Sequence, residues 1–196
     1  WLCAYPVFAD TLAYRGYHEM AWMINRFARI ARKHGMLDVC TAQLARIYTL
    51  PNIEIHEAFI KLKEQARCNL KNLGELASGL EVINNTNLAY FGMRQKAEFF
   101  TLKGDFLARL ERNDEANTAY AAATNADLSL PKAWSSWGRF LDGLFQAHPD
   151  QIEYASRAME CYLQACCLQR SPKSRRHIAR ILWLLAADEA HGTVAK

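Results

Sequence analysis

The chain has 196 residues, 51% of them hydrophobic, with nine glycines, five prolines and a formal charge of +4. This composition excludes a low-complexity chain and indicates an ordered, mostly helical one. No apolar run approaches the length of a membrane span, no secretory signal pattern opens the chain, and so mild a charge does not by itself imply nucleic acid.

Trp1 is not an initiator methionine, and the closing HGTVAK reads as the cap and first turn of a further helix, so a piece of a longer protein is expected. In the first sixteen residues Pro6 and Gly16 interrupt an aromatic-rich stretch, which predicts a helix that begins near Phe8, breaks and restarts. From Tyr17 to His34 the helical period is strong, with Met20, Ile24, Phe27 and Ile30 as the expected inner stripe and Arg26, Arg29 and Lys33 on another side. Gly35 is the expected C-cap. A returning helix follows from Leu37 to Thr49, with Val39, Leu44, Ile47 and Tyr48 expected inward, and Pro51 stops it. A third helix is predicted from Ile53 to Leu70 with Ile55, Phe59, Leu62 and Ala66 on one face, then a tight turn at Asn72–Gly74 and a short partner helix from Leu76 to Ile83.

The most informative stretch runs from Ala97 to Gly138. Gly104 has Phe100 a turn before it and Leu107 about a turn after it, and Ala116, Tyr120 and Ala123 follow at a small–aromatic–small spacing. The same role recurs at Gly138, between Trp134 and Leu141, 34 residues further on, which is the period of a tetratricopeptide-type repeat. A glycine inside a helix costs propensity, so close contact between paired helices is the physical reason for it. The second repeat starts at Pro131, a favoured first-turn residue, and runs to about His148. Its return helix carries Ala158, Tyr162 and Ala165 after an insertion of about eight residues, which is expected to lengthen the first helix or the turn. A last helix is predicted from Ser171 to Asp188 with Ile178, Ile181, Leu182 and Leu185 buried. No segment alternates with period two. The fold class that results is all-α: an α-solenoid of antiparallel helix pairs with tetratricopeptide-like repeats. Residues 17–84 form helical hairpins, 93–130 the clearest repeat, and 131–188 an irregular repeat plus a further helix.

Chemistry is sparse. His18-Glu19 and His56-Glu57 each begin like a zinc-protease helix, but no second histidine follows at i+4, so both read as helix-surface residues. There is no phosphate-binding glycine loop, no GxSxG and no kinase catalytic loop. Cys3, Cys40, Cys68, Cys161, Cys166 and Cys167 contain no CxxC pair and read as reduced core residues, not as disulfides, metal ligands or nucleophiles. Asn84-Asn85-Thr86 matches a glycosylation sequon and reads as a polar loop. Trp22, Trp134, Trp137 and Trp183 are expected to pack between helix pairs. Two basic groups stand out: Arg26, Arg29, Arg32 and Lys33, and then Arg170, Lys173, Arg175, Arg176 and Arg180 around the Ser171-Pro172 helix start. Each reads first as a solvated face with ordinary ion pairing; the alternative is a polyanion site, which the free N–H groups of a helix N-terminus would suit at the second group.

The segments ARIARKHG, ARIYTLPNIEIHEAFIKLKEQARC, GLEVINNTNLAYF, AEFFTLKGDFLARLERNDEAN, KAWSSWG and KSRRHIARILWLLAADEA, in this order, give the chain a more specific likeness. From about Tyr17 onward it resembles the FAT region of the TRRAP-like pseudokinase scaffolds, within the phosphatidylinositol-3-kinase-related kinase family. The resemblance makes residues 1–196 a fragment of a FAT-type helical-repeat domain. It implies a nuclear, non-enzymatic segment that helps hold histone acetyltransferase coactivator complexes together and packs around a kinase-like domain of the same chain. Transcription activators would be received elsewhere on that chain, with no direct nucleic-acid or membrane partner. It requires no cofactor; inositol hexakisphosphate, bound within FAT helices of some relatives, would here fall on Lys173, Arg175, Arg176 and Arg180. The alternatives are the FAT region of an active TOR-like kinase, regulating access to it, and a free-standing tetratricopeptide module that grips peptide tails.

Overall fold

The computed structural model describes the backbone of residues 5–50 and 53–194, and side chains from 19–50 and 53–187. Cys3 and the side chain of His18 lie outside the described residues. Within them the chain is all-α, with nine α-helices, two short 3-10 turns and no strand. It divides into two compact units, Trp1–Phe91 and Gly92–Lys196.

The first unit is built from α1 (Tyr5–Lys33), α2 (Leu37–Ala45), α3 (Ile55–Asn69) and α4 (Leu76–Asn85). The break expected near Gly16 is absent: α1 is continuous, and Pro6 falls in its first turn, where its missing N–H costs no helical hydrogen bond. Gly35 does end the segment, with φ +81° and the Met36 N–H donating to the Ala31 carbonyl at 3.0 Å. The inner stripe of α1 differs from expectation. Ala21, Ile24, Ala28 and Ala31 are buried, while Met20, Phe27 and Ile30 are exposed. Small residues face α2 and α3 because they let the axes close up, and the large ones are left outside. The core of this unit joins Ile24, Ala28 and Ala31 to Cys40, Leu44, Ile47 and Cys68. Val39 and Tyr48 are exposed, contrary to expectation; α2 tightens to a 3-10 turn over Arg46–Thr49, which rotates Tyr48 to the surface.

On α3, Phe59 and Ala66 are buried as expected, Leu62 is half-buried and Ile55 is exposed. The rest of its buried face is polar: Glu57, Lys61 and Glu64. Asn25 Nδ2 donates to Glu57 Oε2 at 2.7 Å, and Arg32 Nε to Glu64 Oε2 at 2.7 Å. Both pairs are 32 residues apart in sequence and one heptad apart from each other, so α1 and α3 run parallel in a fixed register. Arg67 supplies Glu64 with a second partner at 3.0 Å, and Lys61 donates to the Tyr48 hydroxyl.

The second unit holds α5 (Met93–Arg109), α6 (Asn113–Ala126), α7 (Pro131–Ala147), α8 (Ile152–Leu168) and α9 (Pro172–Val194). Helices α5 and α6, joined by three residues, pack along their length, as do α7 and α8; α7 also touches α5 and α6, and α9 packs on α8. The paired glycines behave as their spacing predicts. A Cβ on Gly104 would lie 2.7 Å from the Tyr120 ring, and one on Gly138 would lie 2.9 Å from the Tyr162 ring. Each ring therefore occupies the space a side chain would take. The eight added residues of the second hairpin do not sit in one place. Measured from glycine to tyrosine, four extend the end of α7, one enters the turn and three extend the start of α8. Lengthening both antiparallel arms by about a turn keeps the glycine opposite its tyrosine.

Tryptophans divide between the expected role and another. Trp134 and Trp137 are half-buried and stacked at 6.1 Å, with their Nε1 groups donating to the Leu128 carbonyl at 2.9 Å and to Asn117 Oδ1 at 2.8 Å. Trp22 and Trp183 are exposed instead, as is Leu182, which was expected in the stripe of α9; Ile181 is the fully buried residue there.

Candidate functional site

The basic group at the start of α9 is the strongest candidate. Ser171 Oγ caps the helix by accepting the Ser174 N–H at 3.2 Å, and Pro172 opens it. Helical spacing then brings Lys173, Arg176, His177 and Arg180, at i, i+3, i+4 and i+7, to one open pocket. Arg175 is exposed and does not line it, and Arg170 precedes the helix.

A buried carboxylate lies under this pocket. Asp142 accepts from the Tyr162 hydroxyl at 3.2 Å, ion-pairs with Arg180, and has His177 Nδ1 at 3.4 Å. The His177 ring stacks on the Tyr162 ring, centroids 5.0 Å apart. Arg180 thus has its charge engaged by Asp142, while its Nε is buried with no hydrogen-bond partner. Burial, reinforced by the Asp142 charge, pushes the Tyr162 hydroxyl well above its ordinary pKa, so it remains a donor. The neighbouring hairpin has a related arrangement. Tyr120 donates to Asp105 at 2.8 Å, and burial raises the Asp105 carboxyl against the lowering effects of Tyr120, Lys132 and Arg139.

The pocket lining is basic, with Lys173 and Arg176 carrying charge that Asp142 does not engage. Sequence reasoning missed Asp142 and His177. Asp142 lies one turn after Gly138 on the same face, which could have paired it with the tyrosine that covers that glycine.

Of the other basic group, Arg26, Arg29 and Lys33 line an open pocket with Ile30, whereas Arg32 turns away to Glu64. The thiols have inert surroundings: burial pushes Cys40 and Cys161 up to about 12, and Cys68 is raised as well. Cys166 is half-buried and Cys167 exposed. His56 is exposed, and among the described residues no group of His, Cys, Asp and Glu could hold a metal ion. No described helix is long and apolar enough to cross a membrane.

The FAT domain family profile matches residues 6–183. Over 183 residues the chain is 60% identical to the SAGA complex/NuA4 acetyltransferase complex subunit TRA1 of Saccharomyces cerevisiae, and 57% identical to its counterpart in Schizosaccharomyces pombe. It is 40% identical over 185 residues to the human transformation/transcription domain-associated protein. These matches cover 92–93% of this chain and 5% of each relative's length.

Proposed function

The chain belongs to the FAT domain family, and from that premise we propose that it is a non-catalytic scaffold segment of a nuclear transcription coactivator. In this reading the helix pairs form part of an α-solenoid with tetratricopeptide-like repeats. It curves around a kinase-like domain of the same polypeptide and helps hold a histone acetyltransferase complex together, while activators engage other parts of the parent chain. The observation that carries the reading is the 60% identity, across 93% of this chain, to a subunit of two acetyltransferase complexes. The chemistry agrees with it, since the tyrosines and the core thiols serve packing and are held in their protonated forms. The test is affinity purification of the full-length parent protein from nuclear extract, followed by mass spectrometry. Acetyltransferase and coactivator subunits should co-purify; recovery of an ATP-dependent phosphorylating activity instead would move the segment to the FAT region of an active kinase.

The basic pocket on α9 is, within this reading, a polyanion site. Lys173 and Arg176 supply the charge for such a group, since the Arg180 guanidinium is already paired with Asp142 and Arg175 points away from the pocket. Inositol hexakisphosphate is the probe. It should raise the melting temperature of the chain, and replacing Lys173, Arg175 and Arg176 with alanine should abolish the rise. An unchanged shift would remove those residues from the site.

A further inference from the structure

The chain contains five prolines, and Ser171 is the one serine or threonine that stands directly before any of them. This serine–proline step lies in the link between α8, which ends at Leu168, and α9, which Pro172 opens. Gln169 leaves the helix in an extended conformation, with φ −152° and ψ 128°, and Gln169, Arg170, Pro172 and Lys173 are exposed. Ser171 is half-buried, whereas Ser174, one turn further on, is 3% exposed. The link thus offers a single reachable hydroxyl, with a proline directly after it and a basic residue on either side.

The surroundings of that hydroxyl suit an anion. Ser171 Oγ accepts the Ser174 N–H at 3.2 Å and the Ser174 hydroxyl at 3.1 Å. It borders an open cavity of about 160 Å³ shared with Pro131, Lys132 and Ser135 of α7 and with Gln169 and Ser174. Both α7 and α9 begin at this cavity, so the positive ends of two helix dipoles meet there, beside the Lys132 ammonium. No carboxylate lines it. It is separate from the pocket of Lys173, Arg176, His177 and Arg180, with which it shares no residue.

We propose that Ser171 is a phosphorylation site for a proline-directed serine/threonine kinase, and that its phosphate lies in this cavity and ties the start of α9 to the start of α7. In the transfer, Ser171 Oγ bonds to the γ-phosphorus of ATP as the bond from that phosphorus to the ADP oxygen breaks. The hydroxyl proton passes to the catalytic carboxylate of the kinase. Access requires one capped turn to open, which releases the two bonds from Ser174; neither serine belongs to the apolar core beneath. The product closes that turn more firmly than the hydroxyl does. Its dianion accepts from the N–H groups of the first turn of α9 and pairs with Lys132.

The experiment uses the full-length parent protein in its native assembly, treated with phosphatase and then with a recombinant cyclin-dependent kinase and MgATP. Peptide mass spectrometry places the phosphate. It is expected on Ser171 and not on Ser174, and should be lost in Ser171→Ala and in Pro172→Ala. Alanine is at home in the first turn of a helix, so the second loss reports recognition of the proline and not unfolding. An unmodified Ser171 in the assembly overturns the site, whether or not a synthetic peptide of residues 165–178 is modified. Phosphate that persists in Pro172→Ala overturns the class of kinase. Hydrogen exchange of the first turn of α9 then tests where the phosphate lies. It should slow on phosphorylation, and Lys132→Gln should remove most of the slowing. No slowing, or equal slowing in Lys132→Gln, overturns the tie to α7.

Discussion

In the first unit, α1 and α3 are matched by polar side chains, an amide–carboxylate hydrogen bond and an ion pair; in the second, α5 with α6 and α7 with α8 are matched by shape. Glu64 is 1% exposed and receives two guanidinium groups, and Glu57 is 3% exposed and receives Asn25. At the other seams a tyrosine ring covers a glycine and donates its hydroxyl to a carboxylate, to Asp105 or Asp142. A buried ion pair contributes little net stability once its desolvation is counted, yet removing one partner is costly. A ring seated on a glycine gains dispersion over a large area and tolerates no added volume. The first kind of seam sets register; the second sets how closely two helices approach.

The largest expected effect comes from breaking the polar seam. Arg32→Met should destabilise the first unit by about 3 kcal/mol, the low end for a broken buried pair, since Arg67 still reaches Glu64. Urea unfolding is the measurement, and a loss under about 1 kcal/mol would show that Arg67 and water replace Arg32.

Next come two glycines with opposite outcomes. Gly104→Ala should cost about 1–2 kcal/mol, because overpacking against Tyr120 outweighs a gain in helix propensity of about 1 kcal/mol. At Gly143, inside α7, an added Cβ meets nothing within 4 Å, so Gly143→Ala should stabilise by about 1 kcal/mol. Thermal melts of the two variants should move in opposite directions; movement in the same direction would mean that the Tyr120 ring shifts at little cost.

The smallest effect is in pH dependence. Burial raises the Asp105 carboxyl above its ordinary value, so the folded state binds its proton more tightly than the unfolded chain does. That contribution is fully present below the unfolded pKa and is lost as pH rises through the folded one. Asp105→Asn can still accept from Tyr120 and carries no charge. Its melting temperature relative to the parent chain should therefore be more favourable at pH 7 than at pH 4. An equal difference at both values would assign Asp105 no raised pKa.

Much of the second unit was legible because its signal is steric. Gly104 and Gly138 are out of place in helices unless something lies against them, and Tyr120 and Tyr162 stand where a return helix would bring a ring. The first unit hid more. Periodicity counts apolar residues, so it assigned Met20, Phe27 and Ile30 to the inside of α1 and passed over the alanines that are buried there. It also had no means of placing Glu57, Lys61 and Glu64 on a buried face, because their partners lie on α1 and in the turn after α2. At the start of α9, charge clustering singled out Lys173, Arg176 and Arg180, which share the pocket, together with Arg175, which does not line it. It could not show that Arg180 already faces Asp142, since that carboxylate lies 38 residues away on another helix.

The fit of tyrosine against glycine is measured most directly by a double-mutant cycle at Gly138 and Tyr162, followed by thermal or urea unfolding. Gly138→Ala and Tyr162→Leu should each destabilise the chain. Together they should cost less than the sum of the two by about 1 kcal/mol or more, because leucine vacates the space that the added methyl needs. Additive losses, within about 0.5 kcal/mol, would contradict the claim that the ring and the glycine are a matched pair.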